Sequence, residues 1–218
     1  MKTLIIRKLH FDTLFPSLEE VSERLDNEGK RNSIDTINWP AFPYKPDVSF
    51  SIGYTRNELL LKYYVTEDNF KAEKTETNQE VYEDSCVEFF VSPSDDGVYY
   101  NFEFNGIGTC LMGYGKGRAG RERADSELID SIRRLPSLGT RPVGHTDMIL
   151  TWTLTITIPF SLFYPHGINT PEGKVFRANF YKCGDKLRVP HYVTWNRVGT
   201  ERPDFHQPTF FGQLIFES

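Results

Sequence analysis

Cysteine is scarce in this chain, with three residues at positions 86, 110 and 183. So few and so scattered, they read as neither a disulfide framework nor a thiolate zinc site, and the odd count leaves at least one thiol free. Long apolar runs are also missing, so no segment reads as a membrane-spanning helix. Charge of one sign is not in large excess. The 25 basic and 30 acidic side chains leave a formal charge of −5, which gives no reason to expect nucleic acid or a membrane as the partner. There is no internal repeat and no low-complexity tract. The opening "MKTLIIRKLHFD" has only three consecutive apolar residues and does not read as a signal peptide. The expected location is therefore the cytoplasm, or the periplasm or cell exterior if a leader has been removed.

Aromatic side chains are plentiful, with 17 Phe, 11 Tyr and 3 Trp in 218 residues. They suit a pleated, half-buried surface, and the length suits a single domain over 1–218. "SLEEVSERLDNEGK" (17–30) predicts one short helix, with Ser17 as its N-cap and Gly29 as its stop. "NWPAFPYKPD" (38–47) holds three prolines and reads as a packed connector. Strands are expected at 3–10, 48–54, 59–67, 85–92, 98–105 and 108–114, with a loop over 68–80. Residues 115–145 are ambiguous, and "SELIDSIRR" within them fits helix or strand. In "MILTWTLTITIPF" (148–160), Met148, Leu150, Trp152, Leu154, Ile156 and Ile158 alternate with threonines. Further strands follow at 175–184, 192–195 and 211–217. About ten short strands without alternating long helices predict an all-β, antiparallel β-sandwich, immunoglobulin- or jelly-roll-like, with one N-terminal helix.

One strand contains an anomaly. In "DSCVEFFVSP" (84–93), Val87, Phe89 and Val91 face a core, and Glu88 lies on the reverse. In "YNFEFNG" (100–106) the reverse row is Asn101, Glu103 and Asn105. In "RANFYKC" (177–183) it is Arg177, Asn179, Tyr181 and Cys183. If these strands are neighbours, the rows form one polar face. A buried carboxylate needs a donor, which Arg177 or a ligand hydroxyl could supply. Carboxylate, amide and guanidinium groups meet adjacent sugar hydroxyls in pairs, while the C–H face of a sugar packs on an aromatic ring. The candidate rings are Tyr82, Trp195 and Phe205, with His206 beside the last. A salt-bridged or solvated sheet face is the bland alternative.

"YEDSCVEFFVSP", "YYNFEFNGIGT", "TLTITIPFSLF", "VFRANFYKC", "VTWNRV" and "PDFHQPTFFGQLIF" occur in that order. Together they resemble carbohydrate-binding module family 9 and its stand-alone relatives over roughly residues 45–217. The resemblance implies a non-catalytic β-sandwich that binds terminal sugar units between two rings. It also implies a glycoside hydrolase as a partner, and a structural calcium in some members. Tyr82 and Phe205 match the ring positions, and Glu88, Asn105 and Tyr181 or Asn179 match the polar ones. The pattern departs from the well-known binders, which carry tryptophan at both ring positions and a basic residue near Glu103.

Other signals point elsewhere. Glu88 and Glu103 could form a glycosidase acid pair, and an aromatic face could bind protein. "GKGRAG" (115–120) spells a dinucleotide fingerprint, but that requires a parallel βαβ unit. "SDDG" (94–97) reads as a turn that could touch calcium. No cofactor is expected otherwise. Cys183 with His191, or His191 with His206, lacks the further residues that a nucleophile or a zinc site needs.

Overall fold

A computed structural model describes residues 1–218. In chain order the elements are β1 (Thr3–Ile6), α1 (Leu18–Glu28), β2 (Asn32–Ser33), β3 (Thr36–Ile37), β4 (Asp47–Tyr54), β5 (Glu58–Glu67) and β6 (Phe70–Ala72). They continue with β7 (Cys86–Ser92), β8 (Tyr99–Asn105), β9 (Cys110–Lys116), β10 (Gly120–Arg123), α2 (Ser126–Asp130), β11 (Arg133–Pro136) and β12 (Val143–Thr146). The last are β13 (Leu150–Pro159), β14 (Val175–Cys183), β15 (Tyr192–Thr194) and β16 (Gly212–Phe216).

Two sheets make the sandwich. The larger runs β1-β16-β14-β7-β8-β9-β10, with β15 and β3 added beside β14; the smaller runs β11-β13-β5-β4-β2. All pairs are antiparallel except β1 with β16. Period-two alternation puts Val87, Phe89 and Val91 of β7 into the interior with Phe180 of β14, opposite Phe50, Leu61 and Trp152 of the other sheet. Phe50 and Phe180 stack across the gap with ring centroids 3.7 Å apart. The Tyr63 hydroxyl crosses the gap as well and donates to the Glu88 carbonyl at 2.8 Å.

The helix follows the sequence signal. Ser17 and Glu20 form a reciprocal capping box, and Val21 and Leu25 pack against Leu9 and Leu60. Two expectations are corrected, over 68–80 and at Met148, and two open segments are resolved. Residues 68–80 contain a short strand, β6, because Phe70 is buried in the core and pairs with β12. "SELIDSIRR" divides into a helical turn and the edge strand β11. "GKGRAG" is the tip of the β9–β10 hairpin, with Gly117 at φ 65°, so no helix follows it. Met148, expected to face inward, precedes β13 and is 74% exposed.

The outer face of the larger sheet is not open to solvent along its length. A second apolar cluster covers part of it, formed by Trp39, Phe90, Tyr99, Tyr181, Phe205 and Phe211 among others. Residues 195–211 close one end of this face, and residues 73–85 close the other.

Candidate functional site

Strand register builds the floor of a hollow between those coverings. Tyr181 of β14 lies opposite Glu88 of β7, Glu88 opposite Glu103 of β8, and Glu103 opposite Leu111 of β9. The next row places Asn101 opposite Gly113. A side chain at Gly113 would put its Cβ 3.1 Å from Asn101 Oδ1, so glycine keeps that carboxamide clear. Four loops raise the walls. The β9–β10 hairpin brings Arg118, Arg121 and Arg123, and the segment before β16 brings Asp204, Phe205 and His206. Tyr82 stands on the turn before β7, and Asp185 and Tyr192 flank the β14–β15 loop. The enclosed volume is about 450 Å³, within the range of small-ligand sites.

The polar groups here are incompletely paired. Asn101 Nδ2 donates to Glu103 Oε1 at 2.9 Å, and Cys183 Sγ donates to Glu88 Oε1 at 3.0 Å. Asn101 Oδ1, Glu103 Oε2 and Arg121 Nη1 are buried and have no partner. Neither glutamate is in an ion pair closer than 4.0 Å, although each is only 3% exposed. Burial first, and the Glu103 charge second, holds Glu88 well above the usual carboxylate range. Burial also pushes Glu103 up to about 7, against the opposing pull of Arg121 and of the Asn101 hydrogen bond. His206 shares a hydrogen bond with the Tyr99 hydroxyl at 2.9 Å; burial, then Arg121 and Arg118, lowers it to about 3, so its ring is neutral.

Of the residues expected from sequence, Tyr82, Glu88, Glu103, Phe205 and His206 meet at this hollow. The others do not line it. Asn105 is consumed by structure: it donates to the Lys74 carbonyl and to Asp84, and accepts from the Thr109 amide. Asn179 ties down Asn196 through both ends of its carboxamide. Arg177 lies opposite Ser92, four residues along β14 from Tyr181, roughly 13 Å from the floor. It donates to the Phe211 carbonyl instead of pairing with Glu88. Tyr181 sits beneath Phe205, stacked at 4.1 Å and 9° with its hydroxyl on the Phe205 carbonyl. Trp195 belongs to the interior, edge-on to Phe50 and Phe180. It follows directly after β15, and its amide donates to the Phe180 carbonyl at 2.8 Å.

Sequence reasoning missed Arg121, Asp185 and Tyr192, and it placed Asn101 on the polar row without singling it out. Asn101 shares a row with Glu103 and was legible by alternation. Arg121 was hidden because nothing local shows that the glycine-rich hairpin folds back over the sheet. The "SDDG" segment is a turn in which Asp96 accepts from the Val98 amide and meets His166. His191 lies on Lys182, not beside His206.

The two glutamates stand side by side on neighbouring strands of one floor. Fold and site together define a non-catalytic binding module of the β-sandwich type. The profile of carbohydrate-binding family 9 matches residues 19–216, and the chain belongs to that family. A crystal structure from Bacteroides uniformis ATCC 8492, solved at 2.70 Å as a candidate carbohydrate-binding protein, is 42% identical with a TM-score of 0.95, covering 99% of both chains. A family 9 module from Caldicellulosiruptor kristjanssonii, in complex with glucose, is 11% identical with a TM-score of 0.56. The match covers 99% of this chain and 96% of that one. The same organism's module with cellotriose gives 11% and 0.55, covering 99% and 94%. These last two likenesses show the fold alone. No curated protein sequence matches the chain significantly.

Proposed function

We propose that the hollow binds a terminal sugar unit of an oligo- or polysaccharide without cleaving it. The observation that carries this reading is the convergence of three buried, unpartnered polar atoms on one cavity: Asn101 Oδ1, Glu103 Oε2 and Arg121 Nη1. A buried polar atom left unpaired is costly, and vicinal hydroxyls both donate and accept, so one pyranose ring can satisfy two acceptors and a donor together. Tyr82, Tyr192 and Phe205 supply apolar wall for its C–H face. Glu88 and His206 complete the floor and wall. Loops on several sides suit the end of a glycan chain better than its middle. A glycoside hydrolase enters the proposal only as the activity that would act on the glycan held here.

Calorimetry with glucose, cellotriose and a wider glycan panel tests the reading. Arg121→Met should weaken the best ligand at least tenfold with the circular dichroism unchanged, since a hydrogen bond to a charged group contributes about 1.5–3 kcal/mol. Equal affinity in the variant, or no binding by any glycan, would overturn it. Release of labelled sugar would instead favour an enzyme.

A further inference from the structure

Register places a second feature at the edge of the floor. Cys86 of β7 lies directly opposite Cys183 of β14, and both point to the outer face with Glu88. The two sulfurs and a Glu88 oxygen lie within 4.8 Å of one another. Around a tetrahedral zinc with bonds of ~2.3 Å to sulfur and ~2.0–2.2 Å to oxygen, such atoms sit roughly 3.5–3.8 Å apart, so small side-chain adjustments bring the three onto one ion.

Charge points the same way. The nearest acidic neighbour is Glu103, opposite Glu88, whose Oε2 is buried without a partner. No lysine or arginine forms an ion pair with either glutamate. The cluster therefore gathers two thiols and two carboxyl groups in a desolvated place, where Arg121 and Lys182 act on it from a distance without forming an ion pair with either glutamate. Access exists because Cys183 and Glu88 both line the hollow.

We infer that Cys86, Cys183 and Glu88 form a site for a thiophilic divalent cation of the zinc class, whose fourth position opens into the hollow. Two thiolates select zinc or its congeners over magnesium and calcium. Binding breaks two S–H bonds and the O–H bond of a protonated Glu88, and the released protons pass to the buffer. Oxidation states do not change. The inference does not depend on sugar binding. It uses the β7–β14 edge of the floor, whereas the sugar proposal rests on Asn101, Glu103 and Arg121, and of the three metal ligands only Glu88 also enters the sugar proposal.

The full chain, reduced with a phosphine and stripped by a chelator, is titrated with Zn(II) against a chromophoric competitor, and separately with Co(II). One equivalent is expected, with a thiolate-to-cobalt charge-transfer band in the near ultraviolet. Cys86→Ser and Cys183→Ser should each lower zinc affinity at least 100-fold and remove the band. Cys110→Ser, whose thiol lies in the interior core on the other side of the sheet, should keep both. Absence of stoichiometric metal, or a band that survives Cys86→Ser, would overturn the inference. So would a native Cys86–Cys183 disulfide in the unreduced protein, found by thiol counting. Should the serine variants fail to fold, X-ray absorption on zinc-loaded wild type decides: two sulfurs at ~2.3 Å support the site, and an all-oxygen-and-nitrogen shell refutes it.

Discussion

Asn105 and Asn101 occupy the same row of one strand and have opposite fates. Asn105 meets the turn before β7 and is fully bonded to Lys74, Asp84 and Thr109. Asn101 faces Gly113 and keeps its carbonyl oxygen free. Asn105→Ala should therefore cost about 1–3 kcal/mol, because it strands buried partners, while leaving glycan affinity unchanged; urea denaturation and calorimetry on one preparation check both. A drop in affinity without loss of stability would return Asn105 to the site. His206 behaves differently with pH. Its unfolded value lies near 6.5, and the folded one is about 3. Above pH 6.5 both states are neutral. As the pH falls below 6.5, the unfolded chain gains a proton that the folded chain refuses, so the stability due to this residue is lost progressively toward pH 3. The Tm gap between wild type and His206→Gln should shift against the wild type between pH 7 and pH 4. A constant gap would mean that the folded imidazole takes the proton readily.

Among the elements, long central strands and the short hairpin make contrasting demands. β5 and β13 pair over ten consecutive residues, and β7 is flanked by β14 and β8 on its two sides. Their amides are bonded in ladders over a continuous apolar core. The β9–β10 hairpin carries Arg118 at its tip and Arg121 on its return strand, and β10 has no strand beyond it. Hydrogen exchange should therefore be slowest in β5, β13 and β7 and fastest over 116–120. Slow exchange at the hairpin tip would show that it is held more firmly than its pairing provides. Adding a saturating glycan should raise protection at Arg121 and its neighbours, since the proposal gives that arginine a partner.

At the scale of the molecule, what was legible followed from period two. The alternation in β7 and β8 correctly assigned Val87, Phe89 and Val91 to the interior and Glu88 and Glu103 to the outer face. Ser17 as N-cap and Gly29 as stop marked the two ends of the helix correctly. What stayed hidden was long-range. A strand pattern says which face a side chain takes, but not which loop will cover it. Asn179, Tyr181 and Arg177 were read as open polar positions, yet the returning segment 195–211 lies over them. Trp195 was read as a platform because "VTW" is too short to show its inward side. The paired cysteines were invisible because 97 residues separate them, and only the β7–β14 register brings them together.

That same returning segment has a bearing on how a guest is received. The ring of Phe205 rests flat on Tyr181, and the tyrosine hydroxyl is fastened to the backbone beside it. This part of the receptacle is already in place before anything arrives. Little motional freedom remains there to be surrendered on association. Discrimination between glycans would then come from shape already set, with adjustment left to the arginines across the way.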